Sequence, residues 1–107
     1  MSVVTGVTII AQSCSESLDV LIQQLNDWIA NDPPCGGGRL FQVDQYYGGG
    51  KHPENFVWGG GFNYLSWREF VEYAKTLPWK DEVLPEEQRV ILIVSPDQTP
   101  AEVHWLA

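Results

Sequence analysis

Apolar positions along this chain recur in two rhythms, alternation and three-to-four spacing, and these divide it into strands and helices. Val3-Val4-Thr5-Gly6-Val7-Thr8-Ile9-Ile10-Ala11 is apolar or β-branched on both parities, which predicts a strand buried on both faces. Gly6 in its middle implies close approach by another backbone, or a bulge. Ser13-Cys14-Ser15-Glu16 has the residues of a capping box, with Ser13 or Ser15 as N-cap and Glu16 and Asp19 in the first turn. The helix it opens runs to about Asn31. Leu18, Leu21, Ile22, Leu25, Trp28 and Ile29 fall in an arc of roughly 120°, with Asp19, Gln23, Asn26 and Asp27 outside it. Pro33-Pro34 ends it, because neither proline continues the hydrogen-bond ladder.

Arg39 to Tyr47 reads as a second strand. Phe41 and Val43 share one parity and Gln42 and Asp44 the other, so one face is expected to be covered and one wet. Gly48-Gly49-Gly50-Lys51-His52-Pro53 turns the chain into a third strand, Glu54 to Phe62, where Phe56, Trp58, Phe62 and then Tyr64 share a parity interrupted by Gly60. A strand interior tolerates Gly59-Gly60-Gly61 only at a cost of about 1 kcal/mol per glycine relative to alanine. The triplet therefore calls for a bulge, or for a surface against which something packs closely.

Ser66-Trp67-Arg68-Glu69 has the pattern of a second capping box. Its helix carries Trp67, Phe70, Val71, Ala74 and Leu77 on one stripe and stops at Pro78. An acidic connector from Lys80 to Gln88 leads to Arg89–Ser95, whose centre Val90-Ile91-Leu92-Ile93-Val94 has no polar position and again reads as buried on both sides. A loop at 96–100 precedes a short last strand, Ala101 to Leu106. The order β-α-β-β-α-β plus a C-terminal strand predicts an α+β fold. Its expected form is a ferredoxin-like antiparallel sheet with two helices on one face. In that arrangement Val90–Val94 would lie at an edge, and the added terminal strand is expected to cover it.

Composition changes this picture in few places. A chain of 107 residues with 44% hydrophobic and 19% charged residues supports one folded domain, 1–107. The net charge of −8 repels nucleic-acid phosphates and anionic membranes and favours a basic partner. No run approaches the ~20 apolar residues of a membrane span. Cys14 and Cys35 stand too far apart in sequence for a zinc or redox motif, so free thiols and a cytoplasmic location are expected. The apolar run ending near Cys14 lacks the positive flank and the small-residue cleavage pattern of an export signal.

Catalytic patterns fail one by one. Gly48-Gly49-Gly50-Lys51 is followed by His52-Pro53 and a strand, whereas a phosphate loop needs a helix whose N–H groups face the phosphate. His52 and His104, the only histidines, have no companion ligands at metal spacing, and no cofactor is expected. No Gly-x-Ser-x-Gly elbow occurs, and Asp81, Glu82, Glu86 and Glu87 lie in a single connector instead of facing one another as an acid–base pair. Tyr46, Tyr47 and Trp58 beside glycines, with Lys51 and His52 at the turn, have the residue types of a contact surface. The expectation is a small acidic binding module of inhibitor or immunity type, recognising a basic protein partner through that hairpin or the 81–87 acids. A small-molecule site or small dimeric enzyme with a pocket between sheet and helices is the alternative. A structural domain pairing as a homodimer through the terminal edge strand is a third.

Overall fold

The computed structural model describes residues 3–11, 16–35, 37–43, 56–79 and 89–107. Five strands and two helices follow in the order β1 (Val4–Ala11), α1 (Glu16–Ala30), β2 (Phe41–Gln42), β3 (Phe56–Asn63), α2 (Trp67–Lys75), β4 (Val90–Ser95) and β5 (Glu102–Trp105). The strands form one antiparallel sheet in the order β2-β3-β1-β4-β5, so the fold is α+β, as the element order predicts. The β-branched first strand takes the centre and pairs along its length with β3, Val4 opposite Asn63 through Ala11 opposite Phe56. On its other side it pairs with β4. The short terminal strand covers the outer edge of β4, Ile91 opposite Trp105 and Ile93 opposite Val103.

Both helices join the core on one side of the sheet. Val7, Ile9 and Ala11 of β1, Trp58 and Phe62 of β3 and Val90, Leu92 and Val94 of β4 share that side, and all are buried with Leu18, Leu25, Ile29, Phe70 and Ala74. Trp28 of α1 ties the helices together, edge-on to Phe70 at 5.6 Å and stacked on Tyr73 at 6.1 Å. The apolar stripe expected on α1 is buried, with Trp28 half-buried at its rim, whereas Asn26, expected outside it, is buried as well.

Three local expectations are corrected. First, β1 and β4 are covered on one face only. Gly6, Thr8, Ile10, Ile91 and Ile93 are half-buried, because the helices lie on a single side and the described residues place no layer on the other. Second, the apolar parity of β2 points away from the helices. Phe41 pairs with Gly59 on the open face and is 60% exposed, and among the described residues regular pairing covers Phe41–Gln42. Third, Ser66 occupies the N-cap of α2 without capping it. Its hydroxyl and its backbone N–H donate to the two carboxylate oxygens of buried Asp32, at 2.9 and 3.0 Å, and so join the end of α1 to the start of α2. The Ser13–Ser15 cap lies outside the described residues.

The glycine triplet of β3 divides into two kinds. A Cβ at Gly60 would sit 2.8 Å from the Phe62 ring and 3.2 Å from the Arg39 carbonyl oxygen, so this position must be glycine for the ring to lie across the strand. Gly38, at φ +92°, meets the other edge of the same ring. At Gly59 a Cβ would meet nothing closer than 3.6 Å, an ordinary contact. Gly60→Ala is therefore expected to destabilise by about 1–3 kcal/mol through overpacking, and Gly59→Ala to stabilise by about 0.5–1 kcal/mol. Urea unfolding of the two variants checks this, and equal effects at both positions would refute it.

Candidate functional site

The side of the sheet away from the helices is built from cross-strand rows. Paired residues share a face, so one row crosses all five strands as Phe41, Gly59, Thr8, Ile93 and Val103. The next row holds Val57, Ile10, Ile91 and Trp105, with Val43 joined to its end through a 2.8 Å bond from its N–H to the Val57 carbonyl. A third, shorter row holds Gly61, Gly6 and Ser95. In the first two rows Thr8 is the one polar residue and none is charged.

Exposure follows position. The middle of the face is half-buried by strand neighbours, whereas its two edges stand out, Phe41 at 60% on β2 and Trp105 at 64% and Val103 at 57% on β5. Between them the floor is low, since Gly6, Gly59 and Gly61 carry no side chain. A Cβ at Gly6 would lie 3.6 Å from Ser95 Cβ, and one at Gly61 the same distance from Val4 Cγ1, so neither position is glycine for want of room inside the chain. The charges of β5 take the opposite parity: Glu102 pairs with Val94 and His104 with Leu92, on the helix side, and the two side chains meet at 2.9 Å. On the helices, Asp19, Asp27, Glu69 and Glu72 are exposed. Among the described residues, apolar surface and acidic surface therefore lie on opposite sides of the sheet.

Of the residues expected to form a site, Trp58 is 3% exposed and packs in the core opposite Ile9, so its ring is a core element and not a surface contact. Tyr46, Tyr47, Lys51, His52, Asp81, Glu82, Glu86 and Glu87 lie outside the described residues. The structure instead brings together residues that the sequence reading had placed separately: Phe41 from an expected covered face, Trp105 from the terminal strand, and the isoleucines of β4. The alternating pattern of Phe41 and Val43 was the available signal. It identifies a shared face without saying which side the helices take.

A separate cleft of about 380 Å³ opens at one end of the sheet, where Tyr64, Trp67, Pro34, Pro96 and Asp97 meet. Trp58 does not line it. Tyr64 there holds a positive φ of 55°, and its ring is half exposed. Cys35 is a free thiol that donates to the Gly37 carbonyl at 3.3 Å. Among the described residues no three His, Cys, Asp or Glu side chains are grouped to hold a metal ion, and no helix is long and apolar enough to cross a membrane. No protein-family model matches the chain, and neither does any curated protein or solved structure.

Proposed function

We propose that this chain is a non-enzymatic protein-binding module that docks its partner on the open face of its sheet. One observation carries the reading: two five-residue rows with a single polar side chain and no charge, in a protein whose net charge is −8. A contiguous apolar surface flanked by exposed aromatic residues is the composition of an interface centre, where Trp and Tyr dominate and charged residues are scarce. The sequence of β1 and β4, apolar on both parities, supports it as well, because those strands are composed for cover on both faces.

The acidic helical side offers a second, separate surface for a basic partner. A basic protein would be steered toward Asp19, Asp27, Glu69 and Glu72, and an inhibitor or immunity protein has this general profile. A cytoplasmic location and the ferredoxin-like form of the α+β fold are parts of the proposal too. The free Cys35 thiol supports the first, and the β-α-β-β-α-β order with β1 between β3 and β4 supports the second. A second reading, a small-ligand site, rests on the cleft beside Tyr64, Trp67 and Asp97, whose volume is within the range of ligand pockets.

The test is capture by the immobilised chain at low and then high salt, comparing wild type with Trp105→Glu. Docking on the sheet predicts capture that survives high salt and is lost in the variant, because apolar contacts are not screened. Capture that ignores the variant would overturn the sheet-face reading. A partner released by salt alone would place the contact on the acidic side.

A further inference from the structure

We infer that the occupant of the open face is a second copy of this chain, stacked sheet on sheet about a two-fold axis running along β1. The inference rests on the docking-face reading above and names its partner.

One row of the face carries its own complement on either side of the central strand, and the next sets apolar side chains over one another, Ile91 over Val57. In the row through Thr8, β3 contributes Gly59, a hollow, and β4 contributes Ile93, a ridge. Two strands from the centre, Phe41 stands on one edge and Val103 on the other. A two-fold axis along β1 exchanges the two sides. It sets Ile93 of one copy over Gly59 of the other and Phe41 over Val103, each contact made twice, as an isologous interface requires. Room for a side chain at Gly59 within the chain, left unused, is then accounted for: the space belongs to the second copy.

Charge and size agree. Asp19, Asp27, Glu69 and Glu72 on the helices face outward in such a pair, so among the described residues the two copies meet through uncharged surfaces, with the sheet between these acids and the interface. Among the described residues a basic partner would find no carboxylate on the face to pair with. Strands of 2, 8, 8, 6 and 4 residues across the sheet, at about 3.4 Å per residue and about 4.8 Å apart, present on the order of 450 Å² per copy. The pair would bury about 1,000 Å² once side-chain relief is included, the lower bound for a specific interface. Stacked sheets lie about 10 Å apart with interdigitating side chains, as Ile93 over Gly59 would be.

Sedimentation equilibrium of the purified full chain, from low micromolar to sub-millimolar concentration, tests this. The expected result is a concentration-dependent rise toward twice 12.1 kDa. Phe41→Glu and Trp105→Glu, both at exposed positions and therefore compatible with folding, should each raise the dissociation constant by at least about tenfold. Val20→Glu, exposed on α1, should leave it unchanged. Gly59→Val should weaken association while the monomer keeps its circular dichroism and melting temperature. A mass of 12.1 kDa throughout overturns the second copy. So does a dimer that ignores Phe41→Glu, since pairing through the β5 edge does not involve β2. A monomer whose capture of another protein is still lost in Trp105→Glu would overturn the second copy and leave the docking face intact. A monomer whose capture ignores that variant would overturn both.

Discussion

Replacing Trp79 with alanine is expected to destabilise the fold by about 3–5 kcal/mol, a large share of the total stability of a domain this size. The side chain is 1% exposed and belongs to the core formed by both helices and the sheet. It also closes α2. That helix ends at Lys75, and beyond its end the Ala74 carbonyl accepts both the Leu77 backbone N–H at 3.3 Å and the Trp79 indole N–H at 2.7 Å. Pro78 has no N–H to offer and turns the chain so that the next residue swings back beneath the helix. The alanine variant loses ring volume and donor together, leaving a cavity at the helix end. Trp79→Phe keeps most of the volume and removes the donor, so about 1–2 kcal/mol is expected for it. Urea unfolding of both variants measures the difference. A shift below about 1 kcal/mol for Trp79→Ala would show that the helix end is held by other contacts.

The two helices were legible because Leu18, Leu21, Ile22, Leu25 and Ile29 on α1, and Phe70, Val71 and Ala74 on α2, repeat at helical spacing, a pattern that survives whatever they pack against. The terminal strand was legible for a different reason: Val90–Val94 is too apolar to form an edge, and β5 covers it. Periodicity could not say which face of the sheet the helices would choose. Phe41 and Val43 alternate correctly, yet they lie on the open face, since the register with Gly59 and Val57 sets their side and no local feature of the strand encodes it. The same limit governs the site. Trp58 is as aromatic as Trp105, but one parity puts it in the core and the other puts Trp105 at 64% exposure. Polar residues in the core were invisible for a third reason. Asp32 and Asn26 read as solvent-facing by type, and each is buried because a backbone group distant in sequence needs it.

Asn26 is the clearer of these two cases, and Asn26→Leu is expected to cost about 2–3 kcal/mol although it replaces a polar core residue with an apolar one of similar size. The side chain is 6% exposed on α1. Its Oδ1 accepts the Leu40 backbone N–H at 2.7 Å, and its Nδ2 reaches the Leu40 carbonyl at 3.5 Å. The amide thus offers Leu40 the donor and acceptor that a neighbouring strand would supply, at the point where the chain enters β2. Leu40 itself is 2% exposed, so neither backbone group can turn to water without pulling its side chain from the core. Leucine at 26 would leave both groups buried and unsatisfied, whereas Asn26→Gln keeps both chemistries at a changed reach and should cost less. The effect should also be local in a way that a simple packing defect is not. Among the described residues β2 is held by the pairs of Phe41 and Gln42 and by the Val43 N–H on the Val57 carbonyl, so once its entry is released this short strand should open before the rest of the sheet. Hydrogen exchange would then show faster exchange at Leu40 and Val43 in Asn26→Leu while the amides of β1 and β4 keep their protection. Uniform acceleration across the sheet would mean that Asn26 acts only through global stability. Because Phe41 stands at the rim of the open face, a released β2 also predicts weaker association of that face.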